Sequence, residues 1–165
     1  MLDKYEFKES PKKLTYLEGE PLKLSKEQFI FHNKSYFRKK LVNLQYLFKE
    51  NVGVALHSPG IRDSYLKGEY TANNLVVILT DNEHIRNADE IVEKYMDQTI
   101  EEGCYTIATD KDYLLLMTVD MEGLEAGLAT IETMLKQTFD EYFKKKDFDT
   151  FIQIPKLELY HCASL

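Results

Sequence analysis

The sequence predicts an α+β domain: a single mixed β-sheet with two or three helices packed on it. Three observations carry that expectation. The stretch Tyr105–Lys146 reads as strand, tight turn, strand and one long amphipathic helix. The stretch Phe29–Leu56 reads as strand–helix–strand, a crossover that would set its two strands parallel. Hairpin and crossover links are thus mixed along the chain, instead of a strict repeat of strand and helix.

Taken in order, Leu14–Leu17 is a short strand closed by Gly19 and Pro21. Leu22 and Leu24, then Phe29-Ile30-Phe31, extend the strand character to His32. Ser35 is placed to cap a helix in which Phe37, Leu41, Leu44 and Phe48 mark one face. Gly53 punctuates its far end, and Val52–Leu56 reads as the next strand. From His57 to Asn74 there is no periodicity, and Pro59, Gly60, Gly68 and Asn73-Asn74 mark a surface loop. Leu75–Leu79 is an apolar strand with β-branched residues at its centre. Asn87-Ala88-Asp89-Glu90 then resembles a capping box, opening a shorter helix through Ile91, Val92, Tyr95 and Met96.

After Gly103, Tyr105–Thr109 and Tyr113–Val119 are strands joined by Asp110-Lys111-Asp112, polar residues that favour a turn. Asp120 stands where an N-cap is needed. Met121, Leu124, Leu128, Ile131, Leu135, Phe139 and Tyr142 follow at steps of three and four. At ~100° per residue they share about a quarter-turn, a narrow apolar stripe that must lie on something. Gly123 and Gly127 are one turn apart. Each lowers helix propensity by up to ~1 kcal/mol, which points to a close approach of helix to sheet. Phe151–Ile154 is a late strand, Pro155 interrupts it, and Leu157–Tyr160 stays extended.

With 165 residues, the chain is expected to form one domain, 1–165, burying roughly two thirds of its unfolded surface. A net charge of −7 argues against a nucleic-acid or anionic-membrane partner. The basic clusters are short, and Arg38-Lys39-Lys40 and Lys144-Lys145-Lys146 fall on predicted helices as solvated faces. Cys104 and Cys162 could pair, but their spacing gives neither a disulfide framework nor a Cys-x-x-Cys metal site. They are expected as two buried or half-buried thiols in a chain kept reduced. Met1–Pro11 is charged, without the apolar segment of a signal peptide, and no apolar run approaches the ~20 residues of a membrane span. A soluble chain follows, cytoplasmic if the chain is complete.

The chain carries few motifs of known chemistry. There is no phosphate-binding or dinucleotide-binding glycine pattern, no Gly-x-Ser-x-Gly and no His-Glu-x-x-His. Asp81, Glu83 and His84 crowd one loop and could suit an oxygen-rich metal site, although such carboxylates are more often solvated or capping. His161 beside Cys162 could suit a thiol nucleophile or a soft-metal pair, but adjacent residues on an extended segment point to opposite faces and cannot easily share one metal or pass a proton directly. His57-Ser58 lacks an acid partner. Glu101-Glu102 and Asp110/Asp112 are carboxylate pairs, but nothing defines a substrate cleft between them. No catalytic residue, cofactor or metal is expected in this chain.

Four places do resemble a known family. Pro11-Lys12-Lys13-Leu14-Thr15-Tyr16 with Gly19, and Gly103-Cys104-Tyr105-Thr106-Ile107, are similar to strands of the small α+β domain that precedes the catalytic barrel in β-N-acetylhexosaminidases and O-GlcNAc hydrolases, and in some α-glucuronidases. Gly123-Leu124-Glu125-Ala126-Gly127-Leu128-Ala129-Thr130-Ile131 is similar to its helix opening, and Ile152-Gln153-Ile154-Pro155 to the strand leading out to the barrel. Glu125 and Ala126 depart from the aromatics usual between those glycines. The resemblance implies a zincin-like fold without zinc chemistry, and an accessory, non-catalytic domain of a glycoside hydrolase. Its partner would be the barrel of the same parent chain, which carries the acidic pair, and carbohydrate contact is possible. Leu157, Leu159 and Tyr160 on the exit segment are the expected interdomain contact. The alternative is a free-standing domain that binds a small ligand beneath the His57–Asn74 loop.

Overall fold

A computed structural model describes residues 2–24, 30–32, 35–56, 74–79, 99–144 and 152–163. Its strands are β1 (Lys13–Tyr16), β2 (Leu22–Leu24), β3 (Ile30–His32), β4 (Asn74–Leu79), β5 (Cys104–Thr109), β6 (Tyr113–Thr118), β7 (Ile152–Ile154) and β8 (Leu157–Cys162). A 3-10 helix, Ser35–Leu41, runs into α1 (Val42–Val52), and α2 spans Met121–Lys144. Six strands form a mixed sheet in the order β1-β8-β5-β6-β4-β3. Within it, β3, β4 and β6 run parallel, and the remaining pairs are antiparallel. The fold is α+β, with a separate two-stranded ribbon of β2 and β7 beside the main sheet.

The strand–turn–strand–helix unit forms as its residues direct. Asp112 N–H donates to Asp110 Oδ1 at 3.1 Å and Asp110 N–H to the Tyr113 carbonyl at 3.0 Å, closing the β5–β6 turn. Asp120 Oδ1 accepts the Gly123 N–H at 2.8 Å, the cap the sequence requires. Leu124, Leu128, Ile131, Leu135 and Phe139 are buried in the core that α2 shares with the sheet and α1, and Met121 and Tyr142 close the two ends of the stripe half-buried. Met134 and Thr138 are buried as well, which widens the stripe into a face.

Register fixes which strand residues meet α2. Tyr105, Ile107 and Thr109 pair with Thr118, Leu116 and Leu114, and with His161, Leu159 and Leu157 on the other side. Alternation puts all of these on one face. The opposite face of β5 and β6 (Cys104, Thr106, Ala108, Tyr113, Leu115, Met117) is buried too. That accounts for the unbroken apolar run of Tyr113–Met117.

The stretch Phe29–Leu56 departs from the predicted strand–helix–strand crossover. Val52–Leu56 is not a strand: Val52 ends α1, and Gly53 takes the left-handed conformation (φ 83°), its N–H donating to the Lys49 carbonyl. The parallel partner of β3 is β4, so the crossover is longer than predicted and runs from His32 to Asn74. Phe37, Leu41, Leu44 and Phe48 are nevertheless all buried, and Phe48 meets Phe139 of α2 edge-to-face at 5.2 Å. The helix opens as a 3-10 turn through Leu41, with no side-chain cap where α1 begins. The predicted helix from Ala88 to Met96 lies outside the described residues, and so does the predicted His57–Asn74 loop except for Asn74, which opens β4.

Candidate functional site

Among the described residues, three features concentrate polar side chains. The first is the corner where β5, β6 and α2 meet. Asp120 uses both carboxylate oxygens there: Oδ1 caps α2, and Oδ2 accepts the Gly103 N–H at 2.7 Å. Thr118, fully buried, donates to the Cys104 carbonyl at 3.0 Å. A Cβ on Gly123 would lie closer than 3.0 Å to both Thr118 Oγ1 and that carbonyl, and one on Gly127 as close to Leu116 Cδ1. The two glycines let α2 seat on the strands, and these groups are occupied holding it there.

Beside this corner, Cys104 and Cys162 form a disulfide, with Cα atoms 3.8 Å apart. The expectation of two reduced thiols is therefore overturned. The physical reason is register: the Ala163 N–H donates to the Gly103 carbonyl at 2.8 Å, which leaves Cys104 and Cys162 as a non-hydrogen-bonded pair. Side chains across an antiparallel ladder come closest at such a pair. Fifty-eight residues of sequence separation hid a cross-strand neighbour.

The second feature is β8, where Leu157, Leu159 and Tyr160 were expected to face another domain. Leu157 and Leu159 are buried in this domain's own core, on the α2 side of the sheet. Alternation turns the apolar residues inward, and the outward face carries exposed Glu158 with half-buried Tyr160 and Cys162. Tyr160 Oη accepts the Glu101 N–H at 3.2 Å. His161, half-buried, accepts the Lys12 N–H on Nδ1 at 3.3 Å, so its proton sits on Nε2, 3.8 Å from Glu9. It stands edge-on to Tyr105.

The third is a shallow cleft between α1 and α2, about 240 Å³, lined by Lys40, Asn43, Leu44, Glu125, Leu128 and Glu132 among others. Lys40 pairs with Glu125 across it at 2.5 Å, both ends exposed. The volume falls below the ~300 Å³ at which ligand pockets usually begin. Elsewhere, burial pushes the Tyr5 and Tyr105 hydroxyls above their ordinary range, and each bonds a threonine of α2, Thr138 at 2.8 Å and Thr130 at 2.5 Å. Among the described residues no group of three His, Cys, Asp or Glu could hold a metal, and no helix is long and apolar enough to cross a membrane. Asp81, Glu83 and His84 lie outside them.

No family model and no curated protein matches the sequence. Solved structures match the fold. The structure of CpGH84D aligns with a TM-score of 0.64 at 10% identity, over 98% of this chain and 24% of its own. The GH20 exo-β-N-acetylglucosaminidase from Vibrio harveyi, solved as an inactive mutant, aligns with a TM-score of 0.59 at 8% identity, over 93% and 18%. The GH20 β-N-acetylhexosaminidase from Streptomyces coelicolor gives 0.58 at 8%, over 92% and 25%. The likeness is one of fold, and the chain spans a quarter or less of the length of each.

Proposed function

We propose that this chain is a non-catalytic accessory domain of a glycoside hydrolase acting on N-acetylhexosamine-type sugars, seated beside the catalytic barrel of the same parent. The observation that carries this reading is the asymmetry of coverage: nearly all of this chain aligns with at most a quarter of much longer GH84 and GH20 chains. The mixed sheet crossed by one long helix fits the zincin-like type that the resemblance implies. The outward face of β8, with Tyr160, replaces Leu157 and Leu159 as the contact offered to that neighbour. Supporting the barrel's stability is then the domain's task, and the reacting carboxylates belong to the barrel.

Two measurements test this. The purified chain is expected to release no chromophore from an aryl N-acetyl-β-glucosaminide, and turnover that scales with its concentration would refute the non-catalytic role. The reading frame past Leu165 is expected to encode a barrel with paired acidic residues. A stop codon there, in the natural gene, would remove the parent enzyme from the reading.

A further inference from the structure

The Cys104–Cys162 bond has two unequal halves. Cys104 is nearly inaccessible (3% exposed) and is fixed on every side. Its N–H donates to the Glu101 carbonyl at 3.0 Å, its carbonyl accepts from Thr118, and the preceding Gly103 is held by Asp120. Cys162 is half-buried and is the last residue of β8. Past it, the ladder continues through the Ala163 N–H to the Gly103 carbonyl. Two residues before His161, Leu159 is locked in the core.

We propose that this disulfide is a reducible clasp, which holds residues 162 and 163 on β5 when oxidised and releases them, and no more of β8, when a dithiol reduces it. The accessible half, Cys162, is where a thiolate attacks. Its sulfur bonds to the incoming sulfur, and Cys104 leaves as a thiolate and takes up a proton. The second thiol of the reductant then displaces Cys162, so the dithiol leaves oxidised and both cysteines end as thiols. Cys104 has a place for its new S–H: its Sγ lies 3.5 Å from the Glu102 carbonyl oxygen. The buried side is thus satisfied in both states. Past the His161–Tyr105 pair, the end of β8 is left with the single Ala163 N–H bond to the Gly103 carbonyl, which frays at a ladder end. Leu157 and Leu159 stop the fraying, because releasing them would expose core.

The test is amide hydrogen exchange on the whole chain, with and without dithiothreitol, together with counting of free thiols. Without denaturant, both thiols are expected to appear under reduction. The Ala163 amide should then lose protection by about tenfold or more relative to the amides of Ile107 and Leu116, which stay slow. The Cys162→Ser variant should show the same pattern without reductant; if it fails to fold, the reduced wild-type chain decides alone. Thiols that appear only in denaturant, an Ala163 amide that stays as protected as Ile107, or loss of protection along all of β8 would each overturn the clasp.

Discussion

Adding one methyl group at Gly123 is the most searching perturbation of the α2–sheet contact. On an exposed helix, Gly→Ala stabilises by up to ~1 kcal/mol. Here the new Cβ would lie closer than 3.0 Å to Thr118 Oγ1 and to the Cys104 carbonyl oxygen, and 3.1 Å from Asp120 Oδ1. The carbonyl is backbone in a central strand, so the helix must lift or the strand must bend, an overpacking penalty of about 1–3 kcal/mol. If Thr118 rotates away, its 3.0 Å bond to Cys104 is lost from a fully buried hydroxyl, another ~1 kcal/mol or more. The balance is a net loss of about 2 kcal/mol, or roughly 4–8 °C in Tm for a chain of this size. Gly127→Ala is the internal comparison. Its methyl would press on Leu116 Cδ1, the tip of a rotatable side chain, and meet Tyr105 Cγ at 3.2 Å, so a smaller loss is expected. Urea unfolding followed by circular dichroism gives both values on one scale. If Gly123→Ala raises the unfolding midpoint, or if the two variants rank the other way, the close seating of α2 on β5 and β6 is wrong.

Two further outcomes follow from buried hydroxyls. Thr109 Oγ1 donates to the Pro155 carbonyl at 2.6 Å and accepts the Leu157 N–H at 2.8 Å, tying β5 to the link between β7 and β8. Thr109→Val keeps the shape but orphans two backbone groups, and a loss of about 2–4 kcal/mol is expected in the same unfolding assay; a loss within ~0.5 kcal/mol would mean that water reaches the link. Burial raises the Tyr5 hydroxyl above its ordinary value of 10.0 in the folded chain, so folding favours the neutral form. Its contribution is complete below pH 10 and declines as pH rises past the unfolded value toward the raised one. A Tm profile from pH 8 to 11.5 should therefore fall at its alkaline end, and Tyr5→Phe should fall less steeply; parallel profiles would show Tyr5 open to solvent.

Where signals were local, the amino-acid order was enough. The Asp120 cap, the Asp110 turn and the stripe from Leu124 to Phe139 each depend on residues within a few positions of one another. Helical period and turn chemistry report such neighbours directly. Even the close approach at Gly123 and Gly127 was legible, because glycine in a helix is unfavourable without a neighbour to accommodate.

Register and partner choice were not legible in that way. Alternation along Leu157–Tyr160 announced an amphipathic strand, but only the pairing of β8 between β1 and β5 decided that its leucines face α2 and not another domain. The same pairing set Cys104 opposite Cys162, and the parallel union of β3 with β4 displaced the strand predicted at Val52–Leu56. A chain's own order determines periodicity and local hydrogen bonds, whereas ladder partners are chosen by a shared core across dozens of residues. That core alone fixed which side of each strand met α2 and which cysteine met the other.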